Sequence, residues 1–240
     1  MNLNDVNINY ILYGNNKKDT IVLLHGWGQN IEMMQPIGDN FKDKFQILII
    51  DLPGFGRSSE PKYPWSLDEY VEVIKKLLDK LKIKNPIMMG HSFGGKLALL
   101  YASKYDVKKL VLFASPINHN HQLSLKSKIL KGLKKIPLMD SFGEYMKKYL
   151  GSTDYKNSTP IMRDILVKHV NTDIYDELEK IKASALIIWG ENDTTVLPSV
   201  AYEIDSKISD SGVVMLPGTH YAYLENLPRV LSILESFLEV

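Results

Sequence analysis

The chain has no cysteine. That excludes disulfides, thiolate zinc sites and a cysteine nucleophile, and it agrees with a reducing compartment such as the cytoplasm. Arginine is scarce: Arg57, Arg163 and Arg229 stand alone, and lysine supplies the rest of the 29 basic residues. The formal net charge is only +1, so the global basic footprint of a nucleic-acid-binding chain is missing. No apolar run approaches the roughly 18 residues that a membrane-spanning helix needs. Met1 to Tyr10 carries neither a basic region nor an apolar one, so no signal peptide is expected. Internal repeats and low-complexity tracts are also lacking.

What is present is an ordinary globular balance, 240 residues with 45% hydrophobic and 24% charged. Val6 to Tyr13 alternates like a strand. Thr20 to Leu24, Phe45 to Ile50, Pro86 to Met89, Leu110 to Phe113, Ala185 to Trp189 and Val213 to Leu216 are compact apolar runs, which suits strands buried on both faces. Between them the pattern predicts helices over Asn30 to Asn40, Ser66 to Leu81, Gly94 to Lys104, Pro198 to Ile208 and Pro228 to Leu238. Ser66 with Glu69 forms a capping-box pair at the start of the second. Such alternation implies a mostly parallel sheet with helices on both sides. From Ile117 to Lys180 the rhythm breaks into interrupted helical pattern, which predicts a helical cap over the strand ends, inserted between core segments 1–116 and 181–240.

Gly90-His91-Ser92-Phe93-Gly94 matches G-x-S-x-G. Lifting a serine hydroxyl clear of the backbone requires a tight strand-to-helix turn, and flanking glycines remove the side chains that would clash in it. Three fixed positions match by chance in roughly one chain of this length in ten, so the weight falls on context. A strand-like run leads in and the small-residue helical run Gly94 to Ala98 leads out, with its N-terminal N–H groups facing developing negative charge. Acyl transfer also needs preorganised donors for an oxyanion. The Phe93 N–H is one candidate. The other is Trp27, in His25-Gly26-Trp27-Gly28 after the Thr20 to Leu24 strand, where the same residues could equally form a plain tight turn. His25 reads as a structural residue that hydrogen-bonds this loop.

A serine hydroxyl needs a base. Among the histidines, His169 and His220 lie well downstream. His169 falls in the expected cap, whereas His220 sits just past the last strand, where ligand chemistry converges in such sheets. His220 is therefore the expected base. The acid should follow the penultimate strand, in Trp189-Gly190-Glu191-Asn192-Asp193; Asp193 is the better candidate and Glu191 its competitor.

With LLHGWGQN (Leu23 to Asn30), DLPGFGRS (Asp51 to Ser58), GHSFGG (Gly90 to Gly95), WGENDTTV (Trp189 to Val196) and LPGTHYAYLENLP (Leu216 to Pro228) in place, the chain resembles the α/β-hydrolase superfamily over its whole length. The resemblance implies an α/β fold with an eight-stranded core sheet, an inserted cap, a Ser-Asp-His triad and no metal or organic cofactor. It places Asp51 to Ser58 along one wall of the cleft. A serine nucleophile argues against the aspartate-using dehalogenases and epoxide hydrolases, and leaves carboxylesterases, lipases, C–C bond hydrolases and the methyl-ester esterases of the biotin pathway, to which HGWG and DLPGFGRS look close. A non-catalytic binding protein would be expected to lose a triad member.

Seven lysines (126, 128, 131, 134, 135, 147 and 148) face only Asp140 and Glu144 in one stretch, a local excess of +5. Leu125, Ile129, Leu133 and Ile136 make an apolar helix face beside them. The plain reading is a cap helix with a solvated lysine face. The sharper one is a docking surface for an acidic partner such as an acyl carrier protein, or for an anionic membrane. His119 and His121 form an H-x-H pair without further ligands of clear spacing and read as a polar loop.

Overall fold

Strands that are apolar at every position have no face to turn to water and must be covered on both sides. That is the arrangement found. The structure, a computed structural model, describes residues 1–118 and 158–240. Its strands are β1 (Asn2–Leu3), β2 (Val6–Asn7), β3 (Tyr10–Gly14), β4 (Thr20–Leu24), β5 (Gln46–Ile50), β6 (Ile87–His91), β7 (Lys109–Phe113), β8 (Ala185–Gly190) and β9 (Ser211–Leu216). The main sheet has the order β3-β5-β4-β6-β7-β8-β9. Only β3 runs antiparallel, against β5; the remaining pairings are parallel.

Helices α1 (Ile31–Phe41) and α7 (Leu227–Leu238) cover one face. Helices α2 (Leu67–Lys80), α3 (Phe93–Ala102) and α5 (Ser199–Asp205) cover the other. The two-residue alternation of a strand divides the core accordingly. Ile21 and Leu23 of β4 join the α1 and α7 layer, while Val22 and Leu24 join the α2 and α3 layer. Between β7 and β8 the described residues include α4 (Pro160–Asn171) and a 3-10 helix, Tyr175–Lys180; the short α6 (Ala222–Glu225) precedes α7. Thr159 caps α4, accepting from the Met162 N–H, and Met162 and Ile165 pack into the α2 and α3 core. The Ser66–Glu69 capping box opens α2 as its sequence predicts. Among the described residues no helix is long and apolar enough to cross a membrane.

Two expectations are revised. The continuous strand over Val6 to Tyr13 is broken. Asn9 is drawn out of line by its N–H to Ser58 Oγ (2.9 Å), its side-chain amide to Asp51 Oδ2 (2.7 Å) and its carbonyl, which accepts from Asp51 N–H (3.0 Å). Residues before the break pair as a separate β1–β2 ladder, so the main sheet counts seven strands among the described residues rather than eight. Most of the expected cap, including the lysine-rich stretch, His119 and His121, lies outside the described residues.

The sheet delivers the loops after β4, β5, β6, β8 and β9 to one edge, the carboxyl ends of its parallel strands, where α/β folds build ligand sites. Close approach at that edge depends on Gly94. A Cβ there would meet the backbone carbonyl oxygens of Leu24 and His25. Gly212 on β9 has nothing within 4 Å of the same position. Gly94→Ala is expected to destabilise the fold by about 1–3 kcal/mol through overpacking against rigid backbone. Gly212→Ala should stay within about 0.5 kcal/mol of the parent. Urea midpoints of the two variants test the contrast.

Candidate active site

The turn after β6 holds Ser92 at φ 50°, ψ −114°, a conformation sparsely populated by non-glycine residues. Two backbone bonds fix it: Ser92 N–H donates to Phe113 O of β7 (2.9 Å), and Lys96 N–H donates to Ser92 O (3.0 Å). Helix α3 then leaves the turn with every residue buried.

The loop after β8 is built around Asp193. Its Oδ1 accepts the N–H groups of Thr195 (2.7 Å) and Val196 (3.0 Å), and the buried Trp189 Nε1–H closes the loop onto Val196 O (3.0 Å). Oδ2 is left for His220 and accepts from its Nδ1 at 2.7 Å. Asp193 and His220 are both buried, whereas Glu191 is exposed, which separates the two carboxylates that the sequence offered.

The His220 loop after β9 is pinned from several sides. Glu225 of α6 accepts both the N–H and the hydroxyl of Thr219 (2.7 and 2.5 Å), and Asn226 Nδ2 donates to Pro217 O (2.6 Å). His91, beside Ser92, donates from Nε2 to the His220 carbonyl (3.0 Å), and the two rings lie 4.9 Å apart. Complete burial, with His220 opposing a second positive charge, pushes the His91 pKa down to about 3. A neutral ring has a single proton; Nε2 faces the His220 carbonyl at 3.0 Å and Nδ1 faces Gln29 Oε1 at 3.2 Å, and the shorter contact takes the proton. The structure thus brings Ser92, His220 and Asp193 to one edge, with His91 tying the first two loops together.

The Trp27 and Phe93 rings meet at 5.3 Å, so the β4 and β6 turns are in contact. Neither backbone N–H takes a partner among the described residues, whereas the neighbouring Gly26 N–H is used on Gln29 Oε1 (2.8 Å). His25 has the structural role expected of it: Nδ1 donates to Gly26 O (2.7 Å) and Nε2 accepts from Leu52 N–H (3.0 Å). Burial lowers its pKa to about 4, which keeps it in that neutral tautomer. Asp51 braces the adjoining wall, accepting from Ile31 N–H and Arg57 N–H (both 2.8 Å).

Sequence reasoning overlooked Lys96. Its side chain is 1% exposed, and Nζ donates to His169 O (2.9 Å) and Thr172 O (2.6 Å), tying the C-terminal turn of α4 to α3. Burial pulls its pKa down to about 7. The available signal was a single lysine inside the otherwise apolar, small-residue run after the elbow. His169 lies against Phe93 and Trp27, away from Asp193, whose Oδ2 is engaged by His220.

Residues 19–135 match the family model of the alpha/beta hydrolase fold. The chain is 24% identical to an uncharacterised hydrolase, YugF, of Bacillus subtilis, over 95% of this chain and 92% of that protein. It is 25% identical to a pimeloyl-[acyl-carrier protein] methyl ester esterase of Yersinia enterocolitica, over 88% and 90%. Among solved structures, an enol-lactonase from Burkholderia xenovorans superposes with TM-score 0.76 at 20% identity, over 99% of this chain and 98% of that one. A putative lipase from Acinetobacter baumannii gives 0.79 at 22%, over 99% and 89%.

Lys96→Met would leave two buried carbonyls without their donor, at an expected cost of about 1–3 kcal/mol. The folded chain gives up the Lys96 proton near pH 7, while unfolded lysine keeps it to about 10.5. Unfolding therefore takes up a proton in that window, and parent stability rises with pH across it. The stability difference between parent and Lys96→Met, from urea denaturation, should widen from pH 7 to 10; a flat difference contradicts the lowered pKa.

Proposed function

We propose that this chain, a member of the α/β-hydrolase superfamily, is a serine hydrolase that cleaves carboxylic esters through an acyl-enzyme intermediate. The reading rests on one observation above others. A buried His220–Asp193 hydrogen bond of 2.7 Å stands at the sheet edge that also carries the strained Ser92 turn. With Nδ1–H committed to Asp193, His220 keeps Nε2 as its acceptor, the tautomer that a serine base requires.

In this mechanism His220 takes the Ser92 hydroxyl proton as Oγ attacks the ester carbonyl. The Trp27 and Phe93 N–H groups hold the oxyanion, a contribution of several kcal/mol in comparable sites. His220 then returns the proton to the leaving alcohol. Water activated by His220 opens the acyl-enzyme, and Asp193 keeps the imidazole oriented throughout. Relatives named as pimeloyl-[acyl-carrier protein] methyl ester esterases and as a monoacylglycerol lipase support ester chemistry. The first of these names also favours an acyl carrier protein as partner of the lysine-rich stretch, in a cytoplasmic setting, with residues 117–180 as the cap.

Ser92→Ala should abolish hydrolysis of p-nitrophenyl esters and labelling by a fluorophosphonate; full labelling of that variant would defeat the assignment. Asp193→Asn should lower kcat by about 10⁴-fold through the wrong tautomer of His220. Turnover of ring-fission diketones in place of esters would move the reading to C–C bond hydrolysis by the same residues.

A further inference from the structure

Building on the ester-hydrolase reading, we propose that His169 is a specificity-determining residue whose imidazole hydrogen-bonds an uncharged polar group carried next to the scissile carbonyl of the substrate.

Its position carries the argument. The ring lies edge-on to Phe93 at 4.6 Å and parallel to Trp27 at 6.3 Å, touching the two residues proposed to supply the oxyanion donors. A substrate carbonyl held by those donors would place its α- and β-substituents beside this ring. The side chain is 7% exposed, and Nδ1 is buried with no hydrogen-bond partner among the described residues. Leaving such an atom unpaired carries a desolvation cost, and native structures seldom do so without a reason. Were packing the whole role, an apolar aromatic would supply it without that cost.

The ring is also held in register with the nucleophile. Lys96, on the first turn of α3 after Ser92, grips the His169 carbonyl and the Thr172 carbonyl, so the α4 backbone at His169 is fixed to the helix that starts at the elbow. Complete burial and the adjacent Lys96 amine hold the His169 pKa well below the ordinary histidine range. The ring is therefore neutral, with one N–H and one lone pair. That chemistry suits a hydroxyl, ether or amide substituent and gives no charge pairing to a carboxylate.

The test compares p-nitrophenyl lactate with p-nitrophenyl isobutyrate, in which a methyl replaces the hydroxyl. His169→Phe keeps a ring against Trp27 and Phe93 and removes the nitrogens. It should lower the lactate-to-isobutyrate ratio of kcat/KM by about tenfold, with the isobutyrate rate held within about twofold. His169→Asn, which retains a polar atom near Nδ1, should restore most of the ratio, and thermal melting confirms that both variants are folded. An unchanged ratio in His169→Phe, or an equal fall for both esters, overturns the inference and leaves a packing role. A parent protein that cleaves neither ester and takes no fluorophosphonate at Ser92 defeats the ester-hydrolase reading itself, a separate outcome.

Discussion

A serine held in a conformation that costs roughly 1–3 kcal/mol is the constraint around which this molecule is organised. The Ser92 turn persists because its surroundings leave no alternative. Strand β6 enters between β4 and β7, the Ser92 N–H is bound to β7, and α3 leaves along a face where each of its residues is buried. Gly90 and Gly94 allow the turn to close on itself and on the end of β4. Relaxing Ser92 would require unpacking the central strands.

The same edge gathers three buried histidines, two of which, His25 and His91, burial keeps neutral. His25 fixes the turn after β4 to the loop after β5, and His91 fixes the turn after β6 to the loop after β9. Neither needs charge: His25 presents a donor and an acceptor to backbone, and His91 a donor. His220 differs in having a carboxylate at Nδ1. Three imidazoles within one edge are thus distinguished by their partners rather than by their sequence context. Lys96 extends the logic beyond the core: a buried amine joins α4 to α3 through two carbonyls, so the residues that approach the site from the β7–β8 connection are anchored to the helix that begins after Ser92.

The motif-bearing loops were legible because their signals are local. G-x-S-x-G specifies a turn through steric demands among five neighbouring residues, and apolar runs of four to six residues between turn signals specify buried strands. Six of the predicted strand runs and the five predicted helices correspond to elements found, with ends that coincide or shift by at most three residues. The break at Asn9 was not legible, since its cause is Asp51 and Ser58, over forty residues away. Nor was the His91–His220 bond, which spans 129 residues of sequence. Lys96 was passed over because lysine in a helix is ordinarily a surface residue, and only the docking of α4 on α3 turns its amine inward onto two carbonyls.

Order along the chain, the elbow turn and the layered α/β architecture were determined by the sequence itself, because each depends on periodicity or on short-range backbone sterics. Which of Glu191 and Asp193 meets His220 was decided by tertiary structure, which buries Asp193 against it and leaves Glu191 in solvent. So were the sheet's seven strands, the neutral brace formed by His91 and the placing of His169 against Trp27 and Phe93. The physical reason is common to all of these: burial and hydrogen-bond partnership are properties of surroundings assembled from distant segments, and no window of the sequence contains them.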